Sequence, residues 1–335
     1  MATIKDVAKK AGVSPSTVSR ALHNSSLISD ETKKKIKDAM QELNYSPNFA
    51  AQNLANSSSN IVGVILPPNK ESIANNPFFS QILQGISSVC NQQSYMVAIA
   101  TGKNDEELIA NIKTMITQGK VDKFIVTYSQ KSDQVLNFLN KQQVEFALIG
   151  EPTKNANETL YVNNDNIQSG RDATNFLLKS KYHHPAFVYD DLAEMVQRDR
   201  YVGYSQAVQK IDEESIGFKL DKQHSINRLV DFFKANHSVD SFVVSDDIMA
   251  VTLQNMLTVL GKQVPQYGII SFNNSIFARA THPTLSSVEI FPSSLGMEAA
   301  VLILNTGDED FEKLRATTSR VIIPHKIIER ESTKN

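Results

Sequence analysis

Two sets of residues in this 335-residue chain have the types and spacing to do chemistry. The first is Ser14-Pro15-Ser16-Thr17-Val18-Ser19-Arg20. On a helix opened by Pro15, Ser16, Ser19 and Arg20 share one face. A guanidinium can fork onto guanine or clamp a phosphate, and hydroxyls can hydrogen-bond base edges or backbone. The second set is scattered: Asp190, Arg200, Asp246-Asp247 and Asn273-Asn274, with the rings of Phe78, Phe79, Tyr128 and Phe272. Carboxylates, amides and a guanidinium pair with adjacent hydroxyls, while the C–H face of a sugar lies on an aromatic ring. The chain has no Trp, so a Phe or Tyr must supply that platform.

The elements that position the first set are signalled locally. Thr3 with Asp6 three residues on forms a capping-box pattern. Gly12 suits the left-handed position that ends a helix. Ser14 is a good cap, and Pro15 falls where a missing N–H costs nothing. Val7, Ala8, Ala11, Val13, Val18 and Leu22 are spaced to make one small core. A third helix, capped at Ser29 and running to about Asn44, turns Ile36, Met40 and Leu43 inward. Helix, tight turn, helix is the helix-turn-helix, whose second helix enters the major groove. Lys5, Lys9, Lys10, Arg20, Lys33, Lys34, Lys35 and Lys37 outnumber the acids of this head, whereas the whole chain has a net charge of −2. A basic head on a slightly acidic body is what attraction to phosphate requires. Ser46 to Ala55 then carries helix signals but is too short to be helical alone in water, so it would order only with help.

The second set needs a different scaffold. From Ile61 onward, short apolar runs alternate with helical stretches, as in parallel sheets covered on both faces. The fold class is α/β: an all-α head plus two doubly wound lobes, resembling a periplasmic sugar-binding protein. Strands are expected at 61–66, 96–101, 123–129 and 145–150 for the first lobe. A second set begins near Tyr161, with strands at 186–190, 216–220, 241–245 and 267–272. The tail strands 285–291 and 321–328 close the lobes, and a helix begins at Arg200. Such sheets bind ligands at the carboxyl ends of their strands, where the scattered residues fall.

Thr3–Ser14, Ser16–Leu22 and Leu43–Asn48 resemble the lactose/galactose repressor (LacI/GalR) family, closely in the head and more loosely to the end of the chain. The resemblance implies a helix-turn-helix domain at 1–45, a hinge helix and linker at 46–59, and an effector-binding and dimerisation core at 60–335. Its lobe one is about 60–160 plus 291–320, and lobe two about 161–290 plus 321–335. It implies DNA contacts from Thr3, Ser14, Pro15, Ser16, Thr17, Ser19, Arg20 and His23, with Asn48 and Ala51 in the hinge. Leu54 matches a leucine that wedges into the minor groove, where an apolar side chain kinks the duplex. Phe78 and Phe79 match effector-pocket aromatics, Arg200 the effector-binding arginine, and Asn273 a ligand-contacting Asp. Asp246 stands where the family usually has Asn. With Tyr128 and Asp190 these form the expected effector set. Ser271–Ser275 is similar to maltose-type regulators, which points to an α-glucoside.

The expectation is therefore a sugar-controlled repressor, binding a pseudo-palindromic operator as a homodimer. The alternatives are a corepressor system, or a catabolite regulator that docks a phosphocarrier protein. Enzymatic fingerprints are missing: no Gly-x-Gly-x-x-Gly, no P-loop lysine and no Gly-x-Ser-x-Gly elbow. His183-His184 is adjacent rather than at metal-ligand spacing, so neither cofactor nor metal is expected. The single Cys90 cannot form an internal disulfide. With no secretory leader and no membrane-length apolar run, a cytoplasmic protein is expected. The end of the chain carries no leucine heptad, so no tetramer helix is expected.

Overall fold

The computed structural model describes residues 2–22, 25, 27–45, 59–68, 76–130, 133–220, 226–304 and 320–334. The chain divides into two compact units, Met1–Ser59 and Asn60–Asn335.

In the first unit, helices α1 (Ile4–Ala11), α2 (Pro15–Leu22) and α3 (Asp30–Glu42) enclose Val7, Ala8, Val18, Ile36 and Ala39. Thr3 and Asp6 complete a capping box, and Gly12 closes α1 at φ 68°. The Ser14 hydroxyl accepts from the Thr17 amide at 3.1 Å, and Ser29 caps α3 by accepting from the Thr32 amide.

The second unit holds two six-stranded sheets. In sheet one, β1 (Ile61–Ile65), β2 (Met96–Ala100), β3 (Lys123–Val126), β4 (Glu145–Ile149), β5 (Leu160–Asn164) and β11 (Arg320–Ile323) are all parallel, in the order β11-β5-β4-β3-β1-β2. Alternate side chains serve opposite faces, as the pleat dictates. Val62, Val64, Ile125, Ala147, Ile149, Leu160 and Val162 pack with α4 (Pro77–Gln92) and α12 (Pro292–Leu304). Ile65, Phe124, Val126, Leu148 and Tyr161 pack with α5 (Asp105–Thr117) and α6 (Gln134–Gln142) on the other face.

Sheet two has the order β12-β10-β9-β8-β6-β7. It comprises β6 (Pro185–Tyr189), β7 (Gly217–Lys219), β8 (Ser241–Val244), β9 (Gly268–Phe272), β10 (Ser286–Glu289) and an antiparallel edge, β12 (Lys326–Ile328). One face carries α9 (Ile226–Ala235), α10 (Asp247–Val259) and the short α11 (Ile276–Ala280). The other carries α7 (Asn166–Lys179) and α8 (Met195–Gln209).

Three sequence expectations need correction. The strand near Tyr161 does not open the second lobe: β5 pairs with β4 in sheet one, and the chain crosses only after Asn164. The run 321–328 is two strands, one in each sheet, separated at Pro324, which has no N–H to give a ladder. Helix α8 begins at Met195 rather than Arg200, which places Arg200 inside its second turn. Lobe one is thus built on β1–β5, α12 and β11, and lobe two on β6–β10 and β12. The connections follow β5, β10 and β11.

Candidate functional site

In the head, Pro15, Ser16 and Arg20 are exposed, Thr17 and Ser19 half-buried, and Val18 between them is fully buried. Helix α2 therefore presents a polar face while its apolar side is anchored. The hydroxyls of Ser16 and Thr17 each lie 2.8 Å from that of Ser14, so the start of α2 is a linked cluster of three hydroxyls. Thr3 donates its hydroxyl to Asp6 at 2.7 Å, which gives it a capping task. His23, Asn48, Ala51 and Leu54, with the whole expected hinge helix, lie outside the described residues.

In the second unit, Asp190, Asp246 and Asn273 lie just past the carboxyl ends of β6, β8 and β9, as expected. Arg200 is buried beside Asp246. Its Nε donates to Asn166 Oδ1 at 3.1 Å and its Nη1 to the Ser245 carbonyl at 2.7 Å. The guanidinium lies 4.2 Å from the centroid of the Phe272 ring, a cation–π placement. Burial pushes its pKa down to about 10, opposed by the carboxylates of Asp246, Asp247, Asp199 and Glu194. Backbone packing fixes this position. A Cβ on Gly170 would overlap the Arg200 carbonyl, and one on Gly203 the Ile167 carbonyl, so α7 and α8 touch backbone to backbone there.

Asp246 caps α10, accepting from the Met249 amide at 2.8 Å, and burial raises its pKa. Its neighbour Asp247 is committed internally, accepting from the Ser271 and Ser287 hydroxyls and the Ser275 amide. Asn273 and Asn274 take φ 97° and 49°, left-handed conformations that Asn tolerates better than most residues. The Asp190 amide donates to Gln197 Oε1 at 2.9 Å, which also accepts from the Ser245 hydroxyl at 3.2 Å. Gln197 in turn donates to Glu194 at 2.7 Å. Glu194 forms a backbone bridge to Gln130, which joins the two lobes at this mouth.

Lobe one contributes differently. Phe78 and Phe79 meet edge-to-face at 5.2 Å, and Phe78 packs on the cores of both lobes. Tyr128 is not brought to Arg200: its ring sits in the α5/α6 cluster, beside Asp133 and Asp105. Its buried hydroxyl has no hydrogen-bond partner, and burial raises its pKa. A crevice of about 260 Å³ on the crossover side is lined by Glu151, Tyr161, Asn163–Ile167, Asp199, Arg320 and Ile322, not by the expected effector set.

Asn166, Gln197, Ser245 and Glu194 were not foreseen. The run Asn163-Asn164-Asp165-Asn166 was a usable signal, because amides interrupt an otherwise apolar strand. Gln197 carried none. Its role depends on which strand ends the fold brings to α8.

Among the described residues no helix is long and apolar enough to cross a membrane. Residues 3–48 match the model of bacterial regulatory proteins of the lacI family, and 174–333 that of a periplasmic binding protein-like domain. The HTH-type transcriptional regulator MalR of Streptococcus pneumoniae is 34% identical, over 98% of this chain and 99% of that protein. Two solved structures share the fold. The lac repressor dimer bound to operator and the anti-inducer ONPF has a TM-score of 0.78 at 22% identity, covering 99% of each chain. A complex of the regulator CelR with cellobiose has 0.73 at 22%, covering 99% of this chain and 100% of that one. The chain is a DNA-binding regulator of transcription and belongs to the lacI family of bacterial regulatory proteins.

Proposed function

We propose that this regulator is a cytoplasmic, non-enzymatic repressor whose grip on a pseudo-palindromic operator is set by a small sugar between the lobes, with an α-glucoside such as maltose first in line. One observation carries the reading: Arg200 is held between Asn166 and the Ser245 carbonyl, over Phe272 and beside Asp246. A buried guanidinium fixed in this way can offer its remaining N–H groups to hydroxyls without first being ordered. Asp190, Asp246 and Asn273 supply acceptors nearby, and Phe78 and Phe79 an apolar wall. The resemblance to MalR and the shared fold with a cellobiose complex support a saccharide.

Arg20 and the hydroxyls at the start of α2 read the groove. A homodimer presents two such heads to two half-sites. Exposed apolar side chains on both lobes suit a second copy: Met96 and Ile99 on one, Val259 and Ile276 on the other. Sugar binding turns the lobes, and the segment 46–59 passes that change to the heads. A few kcal/mol of differential affinity for the two lobe arrangements suffices to shift operator occupancy.

The test selects a binding site from random DNA with the full chain, then measures affinity with and without maltose. The expected result is a twofold-related site whose binding weakens when maltose is present. Arg20→Ala should cost about 1–3 kcal/mol of specific affinity. An unsymmetrical site, or affinity indifferent to maltose and other glucosides, overturns the reading.

A further inference from the structure

The three connections between the lobes converge on one buried amide. Asn164 is the last residue of β5, at the first crossover, and is 3% exposed. Its Nδ2 donates to the Ile290 carbonyl at 3.1 Å, at the second crossover, and to the Ile323 carbonyl at 3.0 Å, at the third. Both hydrogens of the amide are thereby used. The partners lie 126 and 159 residues away in sequence: Ile323 is the register partner of Asn164 on β11 in lobe one, while Ile290 reaches it from lobe two.

The carbonyls Asn164 holds lie where the sheets end. Ile290 follows the end of β10, and the next residue, Phe291, takes φ 53°, rare for a bulky side chain. Ile323 is the last residue of β11, before Pro324. At each crossover the chain leaves one sheet for the other, and the Asn164 amide gives the carbonyl there a donor. Strands β5 and β11 belong to lobe one and β10 to lobe two, so the Ile290 bond also crosses between lobes.

We infer that Asn164 is the pivot of the interlobe hinge, a positioning residue that makes the three crossovers move as one. With its two bonds in place, the lobes turn about a common point. Without them, each connector bends independently, and closure no longer has a single direction. This rests on the reading that lobe rotation carries the effector signal, but its test needs no effector.

Spin labels at Lys113→Cys on α5 and Gln209→Cys on α8, both exposed, report the interlobe distance by double electron–electron resonance on the full chain. The native Cys90 is buried and escapes labelling. In the ligand-free protein, Asn164→Ala should at least double the width of the distance distribution. Asn164→Ser, which keeps one donor, should fall between, and it serves as the test if the alanine variant does not fold. Thr174→Ala is the control: it removes a buried hydroxyl bonded to Gly170 within α7, so it lowers the melting temperature without touching a crossover. It should leave the width unchanged. A width unaltered in both Asn164 variants, or broadened equally by Thr174→Ala, overturns the pivot. Adding maltose to the labelled parent addresses the sugar reading separately: no narrowing or shift counts against maltose and leaves the width comparison standing.

Discussion

The two lobes share an architecture but meet the cleft in opposite ways. Lobe two is linked through its own side chains: Arg200, Asn166, Gln197, Ser245 and Asp190 are joined by hydrogen bonds within the lobe. Lobe one offers a pair of phenylalanines, while the Tyr128 hydroxyl is buried away from Arg200 in the α5/α6 cluster. The difference follows from the interactions each lobe would make. Hydrogen bonds to a sugar are directional, and a donor displaced by 1 Å loses most of its value, so the polar half must be ordered in advance. Dispersion against a ring tolerates displacement, so the apolar half can close afterwards. On the proposed function, lobe two is the reader and lobe one the cover.

The largest expected effect comes from matched glycines. Gly203→Ala would drive a methyl into the Ile167 carbonyl between α7 and α8, and Gly85→Ala would do the same to the Ser293 carbonyl between α4 and α12. Each should cost roughly 1–3 kcal/mol or more in a denaturant titration, because backbone cannot move aside as a side chain can. Their functional consequences should separate. Gly203→Ala moves the helix bearing Arg200 and should abolish maltose binding in calorimetry, while Gly85→Ala should leave it within a few fold. Equal losses of binding would erase the division between reader and cover.

Next is the guanidinium itself. Arg200→Lys keeps a charge but cannot bond Asn166 and Ser245 and still present donors to a ligand. Maltose affinity should fall by about 1.5–3 kcal/mol, the worth of a hydrogen bond to a charged group. Phe79→Ala, on the cover, should cost less. If the phenylalanine variant is the more damaging, the ranking of the lobes is reversed.

How much of this was readable from residues alone depends on the distance over which each signal acts. The head was legible because its signals are local. Thr3 and Asp6, Gly12, Ser14 and Ser29 act within four residues of where they stand, and each does what its type suggests. The strands of the body were legible as strands, since a short apolar run needs only its own composition. Their sheet was not. Tyr161–Asn164 and Arg320–Ile323 look alike in either lobe, and only the pairing of the first with β4 and of the second with β5 assigns them. The break at Pro324 was visible, since proline has no N–H to give a ladder. Arg200 was found, but its partners Asn166 and Ser245 were not, because hydrogen bonds across 34 and 45 residues leave no trace in spacing. Asn164 is the extreme case, with partners more than 100 residues away.

A smaller effect compares one carboxyl in each lobe. Burial raises the pKa of Asp133, which caps α6 with one oxygen and has the other buried without a partner. Burial raises that of Asp246 as well, but Arg200 stands nearby and partly offsets it. A carboxyl raised on folding means the native state binds more protons between the unfolded and folded pKa values. Stability therefore falls as pH rises through that window. Asn keeps the capping oxygen and has nothing to ionise. Asp133→Asn should match the parent near pH 3 and exceed it by roughly 1 kcal/mol at pH 7. Asp246→Asn should gain less, since it also deprives Arg200 of a counter-charge. Melting temperatures between pH 3 and 7 decide this, and a larger gain for Asp246→Asn would mean that Arg200 does not compensate it.

The smallest expected effect is the most diagnostic for lobe one. Tyr128 joined the expected effector set because it follows a strand end, yet its ring packs among the α5 and α6 side chains. A buried hydroxyl without a partner has already lost its water and gained nothing, so removing it costs no bond. Tyr128→Phe should therefore change stability by less than about 0.5 kcal/mol, with a gain the expected sign. Maltose affinity should not move, because the phenol is walled off beside Asp133 rather than turned to Arg200. A tenfold loss of affinity would mean that closure on the ligand draws the hydroxyl out of its cluster. Lobe one would then contribute a directional contact after all, formed on binding where those of lobe two are formed in advance.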